Sequence, residues 1–211
     1  MIKLYYFYPA CSLAAHIALE ESGLNFEAHR VELKDPARAA EYKKINPKGT
    51  VPAIVTDGQM LLENVAILTY VDSLAPNAKL LPVNPMQRAQ CMSFLIWCAS
   101  AAHIDFRMSF RPERFGAPVE IHEGMKALGR SNYWADLQTI DHRLQHGRWI
   151  MGEDYTCADG YALRLYDWGR IAKYPMGELK SFGAFVDRML LRPTVQRVLE
   201  REGSPLVAAV A

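Results

Sequence analysis

Cys11 stands in YPACSLAAH, residues 8–16, directly ahead of a stretch with helical patterning. A helix N-terminus carries about half an elementary charge of positive sign and several unpaired N–H groups, and both favour a thiolate over a thiol. Ser12, Leu13 and Ala14 bring no second cysteine. That excludes dithiol oxidoreduction through a C-x-x-C pair and leaves exchange with a small thiol through a mixed disulfide. A free cysteine also packs as a small apolar residue, and this stretch alone leaves both readings open. Val51-Pro52 follows the turn NPKGT and opens an apolar run. A cis bond there would free the N–H and C=O of Val51 for an extended peptide ligand, whereas a trans proline would simply start a strand. Glu63-Asn64 begins the next helical stretch. The carboxylate suits an ammonium group, and a capping side chain with first-turn N–H groups suits a carboxylate, so the pair either holds an amino-acid head or only caps the helix.

These residues need elements to position them. IKLYYF, residues 2–7, reads as a buried strand ended by Pro9. SLAAHIALEES follows with helical period and stops at Gly23, a C-cap. Residues 26–31 alternate like a second strand, and Asp35-Pro36 opens a short helix to Lys44. VPAIVTDGQMLLE places two apolar segments around Asp57-Gly58, a hairpin signal, and Asn64 is read as the cap of a helix that Pro76 ends. The order βαβαββα predicts a small mixed sheet with helices packed on it. Residues 75–88 hold three prolines and two asparagines, the composition of a linker. Beyond it only helical patterning remains, over about 86–109, 119–146, 157–172, 179–190 and 194–202.

Half of the 211 residues are hydrophobic, 22% are charged and the net charge is +1. No block of like charge suggests a nucleic-acid partner. No apolar run approaches the roughly 20 residues of a membrane span, and MIKLYYFYP lacks the order of a signal peptide. The expectation is a cytoplasmic protein with neither nucleic-acid nor membrane partners. Four scattered cysteines are read as reduced thiols. Cys91 and Cys98, seven apart, share an apolar helix face, and His142 with His146 lacks further ligands, so no metal is expected. Thr156-Cys157-Ala158-Asp159 predicts a capping box whose role is folding.

ACSLAAHIALEESGLNFE, INPKGTVPAI, LLENVAILTYV and RWIMGEDYTCADGYAL occur in that order over nearly the whole chain, followed by RPTVQRVL. Together they resemble the glutathione transferases, and among them the bacterial beta class, which is built around a cysteine where other classes use tyrosine or serine. The resemblance implies an α+β thioredoxin-like N-terminal domain followed by an all-α C-terminal domain. The expected boundaries are 1–76 for the glutathione-binding domain, 77–86 for the linker and 87–211 for the helical domain. It also implies a homodimer with the active site near the domain interface, and a detoxifying enzyme that conjugates glutathione, as co-substrate, to small-molecule electrophiles. Thiol-disulfide transfer through Cys11 is a second activity it allows.

By the same resemblance Cys11 falls on the class cysteine, and Val51, with Pro52, on the backbone that pairs with the cysteinyl unit. Glu63 and Asn64 fall on the γ-glutamyl site. Lys34 lies near a lysine used for the glycyl carboxylate, although the loop after it is shorter here. His103 falls on a histidine presented by the first long C-terminal helix, with Ser100 one turn earlier, and the catalytic pair is then Cys11 and His103. The chain departs from the class in having Tyr8-Pro9 where Pro-Gly is usual, and asparagine after the glutamate where serine or glycine is commoner. Tyr6, Tyr8 and Ser12 stay open as alternative hydroxyl donors to a bound thiolate. Phe106, Phe110 and Arg111 either line the electrophile site or form an ordinary helix face. Two rivals are kept: a non-catalytic interaction module on the same fold, which would not bind glutathione saturably, and a Cys-His acyl-transfer enzyme, which needs Cys11 and His103 within hydrogen-bond reach.

Overall fold

The computed structural model describes residues 1–210, so Ala211, the last residue of the expected helical domain, lies outside the described residues. The first half follows the expected order: β1 (Ile2–Tyr6), α1 (Ser12–Ser22), β2 (Phe26–Arg30), α2 (Pro36–Ile45), β3 (Ala53–Thr56), β4 (Gln59–Leu62) and α3 (Asn64–Leu74). The sheet runs β2-β1-β3-β4, with β1 parallel to β2 and the other pairs antiparallel. Leu4 sits opposite both Ala28 and Ile54, and Leu4 and Ile54 are fully buried. Asp57 and Gly58 both take positive φ, 49° and 74°, the geometry that lets a two-residue turn match the twist of its strands.

The second half is helical, as patterned: α4 (Pro85–Trp97), α5 (His103–Phe110), α6 (His122–Leu144), α7 (Cys157–Ile171), α8 (Lys180–Leu190) and α9 (Pro193–Glu202). One expectation is corrected. The single helix read over 86–109 is interrupted by a π-helical turn at Cys98–Ala102, which adds a residue to one turn and rotates α5 relative to α4. The starts expected at Asp35 and at Thr156 hold, and Asn84 adds a cap beyond those expected from the sequence. Asp35 Oδ1 accepts from the N–H groups of Ala37 and Arg38 at 2.9 and 3.2 Å, Asn84 Oδ1 accepts from those of Met86 and Gln87, and the Thr156/Asp159 capping box is in place.

Helix α1 holds the two halves together. Every residue from Ser12 to Leu19 is buried, because α1 packs on the sheet, α3, α7 and α9 at once. At its C-terminal end Glu20 meets Arg197 and Arg201, and Glu21 meets Arg192, all from α9 or the residue before it. The proline-rich connection is fixed in place: Leu80 and Leu81 are buried, the Leu81 N–H donates to Asp72 at 3.0 Å, and the Cys157 N–H donates to the Leu80 carbonyl at 2.8 Å.

Candidate functional site

The residues singled out in the first half converge at the N-terminal end of α1. Cys11 is the residue that precedes the helix, and its Sγ–H donates to the Val51 carbonyl at 3.5 Å. Val51 lies just before β3, and the Val51-Pro52 bond is cis, as is Tyr8-Pro9. Among the described residues the Val51 N–H donates to no acceptor, which leaves it open to a ligand. Asn64 Nδ2 donates to the Cys11 carbonyl at 2.8 Å and so joins the start of α3 to the start of α1, while its buried Oδ1 has no partner among the described residues.

The reading of Asn64 as a helix cap is corrected. Glu63 is the residue before α3, and no side chain caps that helix. Glu63 takes φ 68° and ψ 124°, a conformation that costs a non-glycine residue about 1–3 kcal/mol and is typical of ligand clamps. Glu63 is exposed.

Burial overrides the helix terminus at Cys11. Desolvation pushes the thiol up to about 11, against the pull of Arg164 and then Arg107, so the resting group at pH 7 is a neutral thiol and the expected activation by position alone is not met. His103, at the start of α5, leans on Trp168 with ring centroids 4.7 Å apart, and Arg107 Nη2 lies 3.4 Å from its Nε2. Burial, and then the Arg107 charge, hold His103 down to about 4, so it is neutral at pH 7. No hydrogen bond among the described residues joins Cys11 to His103, and the acyl-transfer rival loses its geometric basis.

Two expected ligand residues stand apart from this junction. Lys34 is exposed before α2, and Ser100, within the π turn, turns its hydroxyl back to the Ile96 carbonyl at 2.8 Å. The alternative hydroxyl donors are engaged elsewhere. Tyr6 donates to the Arg201 carbonyl at 3.3 Å, Tyr8 faces Asp167 at 3.5 Å, and Ser12 exchanges hydrogen bonds with the Phe7 backbone. Phe106 is core, stacked on Trp168 at 4.6 Å, whereas Phe110 is exposed with Arg111 over its ring. Among the described residues no group of three or more His, Cys, Asp or Glu side chains is placed to hold a metal ion.

Sequence reasoning missed two arginines. Arg107 sits one turn after His103, a spacing that could have revealed it. Arg164 is fully buried in α7, where it pairs with Asp167 and approaches Glu202 at 3.6 Å. Glu202 in turn meets His16 Nδ1 at 2.9 Å, and Tyr8 lies under the Arg164 guanidinium, so a buried chain of charge runs from α9 through α1 to α7 beneath the site. Its signal in the sequence is Arg164 and Asp167, three apart within the apolar run of α7.

Comparison with known proteins gives a consistent answer. Residues 10–74 match the family model of the glutathione S-transferase N-terminal domain. Glutathione S-transferase GstA of Escherichia coli O157:H7 is 37% identical over 206 residues, covering 96% of this chain and 99% of that protein. A glutathione transferase homologue from Sulfitobacter, solved with bound glutathione, superposes with a TM-score of 0.88 at 29% identity, covering 95% of this chain and 98% of the other. The bacterial beta class glutathione S-transferase of Sphingomonas chungbukensis gives a TM-score of 0.82 at 31% identity, covering 95% and 98%.

Proposed function

Because the chain belongs to the glutathione transferase family, we propose that it binds glutathione at the N-terminal end of α1 and joins the glutathione sulfur to small electrophiles. The observation that carries this reading is the three-way junction of Cys11, Val51 and Asn64, with the Val51 N–H open beside it. An extended peptide pairs with the Val51 backbone as an added strand would. The exposed Glu63 carboxylate receives the γ-glutamyl ammonium group, and the first-turn N–H groups of α3 receive its carboxylate. Lys34 takes the glycyl carboxylate, and Ser100 with His103 closes the site from the helical side. The Pro52 ring fixes the approach of Val51.

In conjugation the glutathione thiol gives its proton to solvent water, its sulfur forms a bond to the electrophilic carbon, and the leaving group departs with its electron pair. Cys11, neutral at rest, stabilises the glutathione thiolate as a hydrogen-bond donor in place of Val51 as acceptor. His103, also neutral, offers a ring N–H to the same sulfur. A second activity uses the small thiolate fraction of Cys11: it attacks glutathione disulfide, forms a protein–glutathione disulfide and releases one reduced glutathione.

The proposal carries the rest of the class with it: beta class membership, a homodimer, a cytoplasmic place, detoxification, and a division into residues 1–76, a linker at 77–86 and residues 87–211. Calorimetric titration of the reduced protein with glutathione, with Cys11→Ala alongside, tests it. Saturable binding in both proteins supports the site. Loss of binding in the wild type would sink the proposal in favour of an interaction module on the same fold.

A further inference from the structure

At the far end of α1 lies a second concavity. Glu21 is ten residues from Cys11, about 15 Å along the helix, and it borders a cleft of about 430 Å³ where the end of α1 meets the junction of α8 and α9. Three arginines surround the ring of Trp149 there: the guanidinium carbons of Arg148, Arg188 and Arg192 stand 5.7, 6.0 and 5.7 Å from its centroid.

Only one of the three charges is balanced. Arg192 grips Glu21 with two hydrogen bonds of 2.8 and 2.9 Å, and Thr194 adds a third to the same carboxylate. Arg188 donates to the Arg148 carbonyl at 2.8 Å, but its buried Nε has no partner, and neither Arg148 nor Arg188 meets a carboxylate among the described residues. Two guanidinium groups thus face one cleft whose carboxylate, Glu21, is already taken by Arg192. Such groups recognise oxyanions by paired N–H bonds, and a buried unpaired donor is costly to leave so.

We propose that this cleft binds a small molecule carrying two oxyanion charges, a phosphate ester or a dicarboxylate, at Arg148 and Arg188. Binding there is independent of the glutathione reading, because neither arginine belongs to the site around Cys11. The ligand replaces the missing counter-charge and sits against the Trp149 ring between the two guanidinium groups.

The test titrates the full chain with inorganic pyrophosphate and, separately, with succinate, following heat and tryptophan fluorescence. Saturable binding of at least one of them, one per chain, is expected, and the tighter of the two says which chemistry the cleft prefers. Arg188→Gln should weaken it about tenfold or more, the loss of a charge-assisted bond, and Arg148→Gln should weaken it less because that side chain is exposed. Glutathione binding at the Cys11 site should be unchanged in both variants. No saturable binding of either probe, or binding indifferent to both substitutions, would overturn the proposal.

Discussion

At the N-terminal end of α1 the Cys11 thiol is desolvated and pushed up to about 11, with the Val51 carbonyl as its partner. At the C-terminal end of the same helix Glu20 and Glu21 meet three arginines from the α9 side, and two more arginines remain without a carboxylate. The helix termini alone would favour anions at the first end and cations at the second. Neither end follows that rule by itself: Glu20 and Glu21 are anions in the last turn of α1, held there by arginines from outside the helix, and at the first end burial outweighs a half-charge on the helix axis. Partners, more than position along the helix, decide which groups ionise.

The largest effect is expected between the two ends, in the buried chain of charge. Arg164→Met removes the buried cation shared by Asp167 and Glu202, leaving Asp167 with the longer Arg170 contact and Glu202 with His16, and should cost about 3–5 kcal/mol in urea unfolding. A loss below about 1 kcal/mol would show that pairing there is not what holds α7 to α1 and α9. Asn64→Ala should cost about 1–2 kcal/mol, because the Cys11 carbonyl loses its donor, and it should also weaken glutathione binding. Glu63→Gly separates the two roles of that residue. Relief of the φ 68° backbone should raise stability by about 1 kcal/mol while glutathione affinity falls. A variant that keeps full affinity would remove Glu63 from the site.

What the sequence made legible was local. Cys11 before α1, the Asp57-Gly58 turn, Asp35 at the start of α2 and the Thr156/Asp159 box depend on neighbours within a few residues. The buried charges were not legible, because His16 meets Glu202 across 186 residues of chain and neither residue type marks such a meeting. The destination of the Tyr6 hydroxyl was hidden for the same reason, because it reaches the Arg201 carbonyl in α9 across 195 residues. The π turn at Cys98–Ala102 leaves the apolar pattern of the helix nearly intact, so the pattern could not reveal that Ser100 turns back on its own backbone. The resemblance to a family identified Val51, Glu63 and His103 as candidates, where residue types alone allowed a plain strand start, a cap and a packed ring.

The most direct test of the account is the rate at which Cys11 is alkylated, followed by mass spectrometry from pH 7 to pH 10 with and without glutathione. A thiol raised to about 11 is ionised in only about one molecule in ten thousand at pH 7, so the rate should climb about tenfold per pH unit over this range. Glutathione bound beside Cys11 and Val51, as proposed, should slow alkylation at every pH. A rate that is fast and flat from pH 7 upward would contradict the burial argument, and a rate untouched by saturating glutathione would contradict the site itself.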